Sequence, residues 1–541
     1  MAERTAQKSC CDHLHEELPG MTDSVLLIHI SAAESAALTD LLGHPQVLPG
    51  VEASSLLDAF CDKLTNYKEI FLCIEKDQLR NALEQRLSQT KNLSWQSEIA
   101  AVRGIFAGKL QAHIALANAV SPLLDLAVTE KLYGIHSEYR ADISYAENMP
   151  PGMALSFISR DLLESLDIME AKDGDLSSGI RPFVEKNINQ FHAEVHYEEP
   201  DLRLLRLDFS LASRRSLVKT AAFLNKLKEK SAGQSLENPY SQLQSLLQAS
   251  PELLHTFPSY IEIEFSANAE AKSYFSPLSV IEQPAAKLSR PHFQKIRDYI
   301  ATGYGDTAVC ASGLGEPLEH PEAVEFLRAL LEEQSIRHVF VETNGIHLEK
   351  LRPLAGHVSA DKLRIIVMLN SLERYEELSG SPKASLAVVK RGMQSLVADL
   401  NAAGKNAAEV IYLQALKVEE NEAEIDSLYA LAEELGVSFL LQKYNRYAGL
   451  LPERRVSDMT PLERYSCWHL RRDLFIRANG DVAFCKQTVD PKKPITRGNL
   501  SNDSLPDIWA AQKADFVLNY QGKYPAHLPC ANCDEYFTFN Y

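Results

Sequence analysis

The sequence has no apolar run long enough to cross a membrane. Its longest apolar runs, such as SVLLIHI, have the length of a strand, whereas a transmembrane helix needs about 20 apolar residues. The first twenty residues also lack the apolar segment of a signal peptide. We therefore expect a cytoplasmic protein with no transmembrane segment, a flexible tail over residues 1–23, and a translation start at either Met1 or Met21.

A long run of basic residues is absent as well. Lysine and arginine total 55 against 73 aspartates and glutamates, which gives a formal net charge of −18. Because binding to a phosphate backbone depends on clustered positive charge, no nucleic-acid partner is expected. At 541 residues the chain exceeds what a single hydrophobic core supports, so several domains are expected.

Cysteine is scarce over most of the chain. Nine cysteines without an export signal do not make a disulfide scaffold. Cys61, Cys73 and Cys310 stand alone among apolar neighbours, which is typical of small core residues. Four others crowd the C-terminal end, at Cys467, Cys485, Cys530 and Cys533.

These four cysteines are the strongest chemical signal in the sequence. The motif CANC places two thiols on one tight turn, and CWHLRRDLFIRANGDVAFC predicts a strand, an Asn-Gly turn and a second strand. Such a hairpin would bring Cys467 towards Cys485. Four converging thiolates suit either an iron–sulfur cluster or structural zinc. Four unrelated core cysteines are disfavoured by the clustering.

Two α/β regions precede this end of the chain. Over residues 24–227, SVLLIHI and EIFLCIE predict buried parallel strands of a Rossmann-like sheet, and a polar linker follows over residues 228–258. Residues 259–459 contain six strand candidates from YIEIEF to SFLLQKY, with helices between most of them, which predicts a (βα)6 partial TIM barrel. Residues 460–541 predict a small metal-stapled module.

The C-terminal motifs carry a family resemblance. The order IRANGDVAFC, RGN, DIWA and CANC resembles the SPASM/twitch module that is appended to many radical S-adenosylmethionine (SAM) enzymes. The matching residues are Gly480, Cys485, Gly498, Asn499, Ile508, Trp509, Cys530 and Cys533. With four cysteines, the chain is similar to the short form of the module, which implies one auxiliary [4Fe–4S] cluster. The resemblance favours this cluster over zinc, which stays the alternative.

The barrel region extends the resemblance to the radical SAM fold. The segments ASGLGEPLEHPEAV and VFVETNG are similar to the family's glycine-rich loop and the following strand end. Glycine lets the backbone approach a ligand closely at such a loop. The resemblance implies a SAM-like pocket formed by Gly313, Gly315, Glu316, Pro317, Thr343, Asn344 and Asn370. Asn370 stands where the family usually has aspartate.

The same resemblance exposes a missing motif. The family's Cys-x3-Cys-x2-Cys follows the first barrel strand, and here those positions hold Ala269, Ser273 and Ser276. Without these thiolates the cluster that cleaves SAM cannot form. We therefore expect a degenerate core without SAM cleavage, and whether SAM still binds stays open.

Three segments point to a narrower group. VEENEAEI, LLQKYNRYAGLLPERR and TPLERYSCWHLRRD resemble the spiro-SPASM proteins, which join a SPASM end to an N-terminal nucleotidyltransferase-like part. In QKYNRYAG, four residues lie at the end of a predicted barrel strand, where barrels carry their sites. These candidates for substrate binding are Lys443, Asn445, Arg446 and Tyr447.

The N-terminal region resembles the cytidylyltransferase-like fold through SPLLD and AENMPPG. The resemblance implies a vestigial site at Asp125 and Asp208, because Val120 occupies the place of a metal-binding aspartate. The loop HISAAESAAL lacks the glycines and basic residues that a triphosphate requires. A generic Rossmann-like sheet is the alternative.

The favoured function is an iron–sulfur protein that acts as a binding or scaffold partner for a protein or peptide. One alternative is an active radical-SAM-type enzyme that modifies a peptide or envelope precursor, with the missing thiolates supplied by a partner. The second is a zinc-stapled binding protein. Whether the chain is an enzyme is therefore left open by the sequence.

Overall fold

The computed structural model describes residue 21 and residues 24–43, 46–48, 51–109, 113–170, 179–231, 238–490 and 495–537. Of the predicted N-terminal tail and its two candidate starts, only Met21 belongs to the described residues. The chain divides into two compact units, Met1–Leu253 and Leu254–Tyr541. In the described part of the chain, no helix combines the length and apolar character needed to span a bilayer.

The first unit is a mixed α/β structure. Its described strands are β1 (Val25–Ile30), β2 (Gln46–Leu48), β3 (Val51–Glu52), β4 (Ile70–Ile74), β5 (Thr90–Leu93), β6 (His113–Ala117), β7 (Ile143–Ala146), β8 (Ser156–Ser159) and β9 (Ala193–His196). Its described helices are α1 (Ala32–Gly43), α2 (Ala53–Asp62), α3 (Asp77–Glu84), α4 (Glu98–Gly108), α5 (Leu126–Tyr139), α6 (Asp161–Glu170), α7 (Ile180–Lys186), α8 (Arg214–Lys230) and α9 (Tyr240–Ala249).

Seven of these strands form one sheet in the order β5-β4-β1-β6-β8-β7-β9. The inner strand β1 pairs in parallel with β4 and β6, as its continuous apolar run predicts. Strand β8 is antiparallel to both of its neighbours. The stretch 228–258, which the sequence marks as a linker, contains helix α9, and the buried Tyr240 anchors this helix in the first unit.

The second unit begins with the barrel and ends with the cysteine-rich module. Its described strands are β10 (Tyr260–Glu264), β11 (Thr307–Ser312), β12 (Ile336–Thr343), β13 (Leu363–Met368), β14 (Ile411–Lys417), β15 (Ser438–Lys443), β16 (Asp473–Ile476), β17 (Asp481–Ala483) and β18 (Thr496–Asn499). Its described helices are α10 (Arg290–Ala301), α11 (Ala323–Glu332), α12 (Arg352–Ala355), α13 (Tyr375–Ser379), α14 (Ala384–Ala402), α15 (Ala407–Val410), α16 (Ile425–Leu435), α17 (Trp468–Arg472) and α18 (Leu505–Tyr520).

Strands β10 to β15 are parallel and lie side by side in chain order. Along β10, Ile261 and Ile263 belong to the core that packs against the helices, while Glu262 and Glu264 alternate with them towards the barrel interior. Helices lie between successive strands. This arrangement confirms the predicted (βα)6 partial barrel.

The cysteine-rich module continues the barrel sheet. Strand β16 pairs in parallel with β10, and β17 and β18 follow as antiparallel strands. The Asn-Gly turn between β16 and β17 forms as predicted, and Gly480 has a φ of +87° that suits glycine. The segment before β16 is helix α17 rather than the predicted strand. A 2.6 Å hydrogen bond between His469 and Asp473, four residues apart, stabilises this single turn.

Candidate functional site

Four cysteines from three separate segments line one small cavity of about 30 Å³. Cys467 directly precedes α17, and Cys485 follows β17. Cys530 and Cys533 lie at the turn Pro529–Asn532. The fold thus brings together the whole set of cysteines that the sequence singles out. None of the four forms a disulfide.

The surroundings of these thiols suit bound metal. Burial raises the pKa of all four thiols, that of Cys533 to about 12, and the neighbouring thiols raise it further for Cys485. Backbone N–H groups oppose this effect: the N–H of Glu535 donates to Sγ of Cys533 at 3.4 Å. Buried thiolates need a compensating positive charge, which metal ions supply. The donor set therefore fits a thiolate-bound metal centre.

The spacing of the sulfurs bears on which metal fits. Among the described residues, every set of three cysteines includes a sulfur pair more than 4.8 Å apart. In a zinc site, four sulfurs at about 2.3 Å from the ion lie about 3.8 Å from one another. As they stand, the four thiols are therefore not drawn together into a closed zinc tetrahedron, and their donor chemistry fits either zinc or an iron–sulfur cluster.

Arg464 braces the turn that carries two of the cysteines. Its Nη1 donates to the carbonyl oxygen of Cys533 at 2.9 Å, and its Nη2 donates to that of Cys530. Its guanidinium lies over the ring of Tyr536 at 4.4 Å. The sequence analysis missed this residue, although it lies three positions before Cys467 in TPLERYSC.

A second cavity, of about 200 Å³, opens at the C-terminal ends of the barrel strands. Ala269, Ser273 and Ser276 line it, at the positions where the radical SAM resemblance expects cysteine. The hydroxyl of Ser273 donates to the carbonyl of Leu378 at 3.2 Å, and that of Ser276 accepts from the N–H of Leu278 at 3.3 Å. Ser276 thus closes a turn within the loop and Ser273 ties the loop to α13, with no thiolate among the three side chains.

The GLGEP loop keeps its close packing. A Cβ atom on Gly315 would lie 2.1 Å from the carbonyl oxygen of Ser266, so only glycine fits there. The carboxylate of Glu316 accepts hydrogen bonds from the hydroxyl of Thr343 and the N–H of Asn344, each at 2.8 Å. Burial raises the pKa of Glu316 to about 7. Glu316 therefore ties the loop to the end of β12.

The predicted SAM-like residues reach this cavity only in part. Gly313, Gly315, Glu316, Asn344 and Asn370 line it, whereas Pro317 and Thr343 stand behind the lining. Asn370 is engaged in the fold, because its Oδ1 accepts from the N–H of Leu416 at 2.8 Å.

The predicted substrate-binding residues also divide into two sets. Lys443, Asn445 and Tyr447 line the barrel cavity, and Arg446 pairs with Glu453 at 3.2 Å. The ammonium group of Lys443 lies 2.8 Å from the carboxylate of Glu535, two residues after Cys533. Lys443 thereby connects the end of β15 to the cysteine-rich segment.

A buried charge cluster between the two cavities was not anticipated. Lys486, which follows Cys485, places its Nζ 2.7 Å from Glu262 and 3.7 Å from Glu342. The hydroxyl of Ser312 donates to Glu262. Glu262 is 2% exposed, so the lysine charge compensates a carboxylate that has little access to water. The acids inside YIEIEF and VFVETNG were the available signal.

In the first unit, the two predicted aspartates have different surroundings. Asp125 caps α5, and its Oδ1 and Oδ2 accept from the N–H groups of Val128 at 3.0 Å and Tyr240 at 2.9 Å. Asp208 lies near Glu34, whose pKa is raised to about 7, by burial first and then by Asp208. The sequence analysis missed Glu34, an acid in the first turn of α1.

Comparisons with known proteins place the C-terminal segment in a described group. Residues 467–534 match the model of the SPASM family, an iron–sulfur cluster-binding domain, and this match spans all four cysteines. A protein of Treponema pallidum (strain Nichols), described only as uncharacterized, is 27% identical over 369 residues, which cover 66% of this chain and 97% of that protein. The C-terminal module is therefore similar to iron–sulfur cluster-binding SPASM domains.

Several solved structures resemble this chain distantly. SuiB of Streptococcus suis bound to precursor peptide SuiA is 16% identical with a TM-score of 0.38, over 60% of this chain and 84% of that chain. BtrN in complex with AdoMet and 2-DOIA is 16% identical with a TM-score of 0.34, over 50% and 89%. Native anSMEcpe with bound AdoMet is 11% identical with a TM-score of 0.36, over 51% of this chain and 89% of that chain. Scores this low do not assign a function to this chain.

Proposed function

We propose that this chain is an iron–sulfur protein that holds one [4Fe–4S] cluster on Cys467, Cys485, Cys530 and Cys533. The observation that carries the proposal is the convergence of these four buried thiols on one cavity inside the segment that matches the SPASM domain. The match of this segment to an iron–sulfur cluster-binding domain supports a cluster rather than zinc. When bound, such a cluster supplies one-electron redox chemistry.

The protein's own groups would hold and tune this cluster. The N–H of Glu535 donates to the sulfur of Cys533, and Arg464 fixes the turn from behind. The cation of Lys486 lies beside the site and is paired with Glu262. Hydrogen bonds to sulfur and nearby charges are the features by which proteins set the potential of such clusters.

We further propose that the barrel does not cleave SAM and that its role is binding. Ala269, Ser273 and Ser276 offer no thiolate, and the two serine hydroxyls are engaged in the loop. The cavity and the glycine loop nevertheless persist, which supports a binding role for the barrel and leaves open whether SAM is bound. In this proposal the barrel serves as a docking or scaffold domain for a protein or peptide, with Lys443, Asn445, Arg446 and Tyr447 as candidate contacts.

We propose a first domain over residues 24–227, a linker over 228–258, the barrel over 259–459 and the cysteine-rich module over 460–541. We propose that the first domain keeps a cytidylyltransferase-like fold without the activity. In support, Val120 offers no metal ligand, and Asp125 is used as a helix cap.

The free thiols suit a reducing compartment, so the proposed location is the cytoplasm.

The first test is to purify the chain anaerobically and measure iron, acid-labile sulfide and zinc together. We expect about four iron and about four sulfide per chain, as one cubane cluster requires. Both should be lost in Cys485→Ala and kept in Cys61→Ala, a buried cysteine of the first unit that serves as the matched control. Stoichiometric zinc without iron would overturn the cluster and leave the zinc-stapled binding protein.

The second test distinguishes the scaffold from an active enzyme. The cluster-loaded protein is incubated with SAM and a strong reductant, and 5′-deoxyadenosine is measured. We expect none, because no second cluster can form on the barrel. Detectable 5′-deoxyadenosine, or about eight iron per chain, would instead support the radical-SAM-type enzyme acting on a peptide or envelope precursor.

A further inference from the structure

A third cavity, which we call the basal cavity, opens at the amino-terminal ends of the barrel strands. Its volume is about 540 Å³, within the range of pockets that hold small ligands. The side chains that the argument uses are Tyr260, Arg337, His338, Arg364, Tyr412 and Trp468. The basal cavity shares no lining residue with the barrel cavity or with the cavity of the four cysteines, although Trp468 directly follows Cys467 in the chain.

Arginines outnumber carboxylates in the lining of the basal cavity, with Arg337, Arg364 and Arg472 against Asp306. Among the described residues, no carboxylate lies within ion-pair distance of Arg337 or Arg364. Arg364 is held in place by its Nη1, which donates to the carbonyls of Asp361 at 2.7 Å and Leu363 at 2.8 Å. In a chain with a formal net charge of −18, two such arginines at one opening form a local attractor for anions.

The walls of the basal cavity suit a planar ring. Tyr260, Tyr412 and Trp468 line it, and a guanidinium group already lies over two of these rings. This group belongs to Arg472, at 4.9 Å from the centre of the Tyr260 ring and 5.5 Å from that of Trp468. Flat groups therefore have aromatic surfaces to contact.

One buried polar atom at the basal cavity has no hydrogen-bond partner in the described part of the protein. This atom is Nδ1 of His338. Burial lowers the pKa of His338, and Arg364 and Arg337 lower it further, so the imidazole is neutral at pH 7. Buried polar groups without a partner are rare in folded proteins, and a bound ligand can satisfy them.

We propose that the basal cavity binds a small organic anion that carries a planar ring, the chemistry of a nucleoside monophosphate. Arg337 and Arg364 would bind the anionic group, and the aromatic walls would contact the ring. Nδ1 of His338 would hydrogen-bond to the ligand. This inference goes beyond the cluster and the barrel cavity and does not depend on either.

The test is isothermal titration calorimetry on the full-length protein, with adenosine 5′-monophosphate and phenyl phosphate as probes. We expect saturable binding of at least one probe, and a loss of about tenfold or more in affinity for both Arg337→Gln and Arg364→Gln. Arg328→Gln, which removes an exposed arginine of α11, should bind as the unmodified protein does. A thermal unfolding scan of each variant separates lost binding from lost folding.

Two further titrations examine the two parts of the ligand. Adenosine alone and inorganic phosphate alone should each bind more weakly than adenosine 5′-monophosphate, because each lacks half of the expected contacts. Equal binding of inorganic phosphate would overturn the role of the aromatic walls. Absence of binding by both probes, or binding that neither arginine variant weakens, would overturn the basal cavity as an anion site.

Discussion

At the scale of single residues, Lys486 joins two barrel acids to the cysteine-rich segment. Its ammonium group lies within ion-pair distance of Glu262 and Glu342, and the residue directly follows Cys485, a proposed cluster ligand. A buried ion pair need not stabilise a protein relative to an apolar replacement. Removing one partner of such a pair is nevertheless costly, because the other charge is left without compensation.

Replacing this lysine should therefore destabilise the second unit. We expect Lys486→Met to lower its free energy of unfolding by about 3–5 kcal/mol, measured by urea denaturation. The double variant Lys486→Met with Glu262→Gln should recover part of the loss, because the carboxylate closest to the lost cation is removed as well. A double variant less stable than Lys486→Met would contradict this account.

His255 gives a residue-scale prediction on pH. Burial lowers the pKa of His255 to about 3, and Lys513 and Arg497 lower it further, while its ring stacks on Trp509 at 4.3 Å. Below the unfolded pKa of about 6.5, the unfolded chain binds a proton that the folded chain does not. This histidine therefore costs stability as the pH falls from about 6.5 towards 3.

The variant His255→Phe keeps the stacked ring and removes the titration. Nε2 of His255 is buried without a hydrogen-bond partner, so phenylalanine leaves no new polar group unsatisfied. Between about pH 7.5 and about pH 5.5, the unmodified protein should lose about 1 kcal/mol more stability than the variant. Urea denaturation of the cluster-free proteins measures this difference. Equal losses would exclude His255 as the source.

At the scale of elements, the loop after β11 depends on two glycines and a glutamate. Gly315 approaches the carbonyl of Ser266 too closely for a side chain, and Gly313 has a φ of +110°. Glu316 then fixes the loop to β12 through hydrogen bonds to Thr343 and Asn344. The shape of the barrel cavity therefore follows from backbone packing as much as from its side chains.

A methyl group at Gly315 should displace this loop. We expect Gly315→Ala to destabilise the second unit by about 1–3 kcal/mol, the usual effect of forcing an extra carbon into a packed site. Gly356→Ala is the matched control: Gly356 has a φ of −86°, and a Cβ there meets no atom within 4 Å. Thermal unfolding compares the two. Similar midpoints for both variants would show that the loop relaxes at little cost.

Elements with strong periodicity could be predicted from the sequence, whereas short ones could not. The parallel strands from β10 to β15 are predictable because they are apolar runs separated by helical segments. Helix α17 has only five residues, too few for helical periodicity to show, and the apolar DLFI beside it reads as strand. The sequence did not predict helix α9, which begins in a polar stretch. Its first residue, Tyr240, is held by a hydrogen bond to Asp125, which is far away in the sequence.

In the candidate site, too, local sequence patterns predict some features, whereas contacts between distant residues could not be predicted. The CANC motif and the Asn-Gly turn are local in sequence, so the clustering of the cysteines could be predicted. The pairing of Lys486 with Glu262 joins residues far apart in the chain, and no spacing rule reports which distant charges meet inside a barrel. The same holds for Lys443 and Glu535, whose 2.8 Å contact became visible only in the fold.

At the scale of the whole molecule, the cysteine-rich module and the barrel share one nine-stranded sheet. Strand β16 pairs with β10, so a change at the cysteines reaches the barrel through backbone hydrogen bonds. If the proposed cluster is present, its free energy of binding is also folding free energy for these strands.

Removing the cluster should therefore loosen the shared sheet near the module. Hydrogen exchange followed by mass spectrometry, with and without iron chelation, should show faster exchange in peptides covering β16 and β10. Peptides covering β13, three strands away from β10 in the sheet, serve as the internal reference and should change little. Equal protection of β10 in both states would show that the module is loaded without any consequence for the barrel.

The pairing of β10 with β16 also determines when the barrel sheet can be completed during translation. Strand β16 begins roughly two hundred residues after β10 ends, and the CANC cysteines come later still. At about 5–20 residues per second, a ribosome needs roughly 10 to 40 s to deliver β16. During that interval one edge of β10 has no partner, and an open strand edge invites wrong pairing. The nascent barrel can therefore mispair at this edge, and loading of the proposed cluster must wait until the CANC segment has been synthesised.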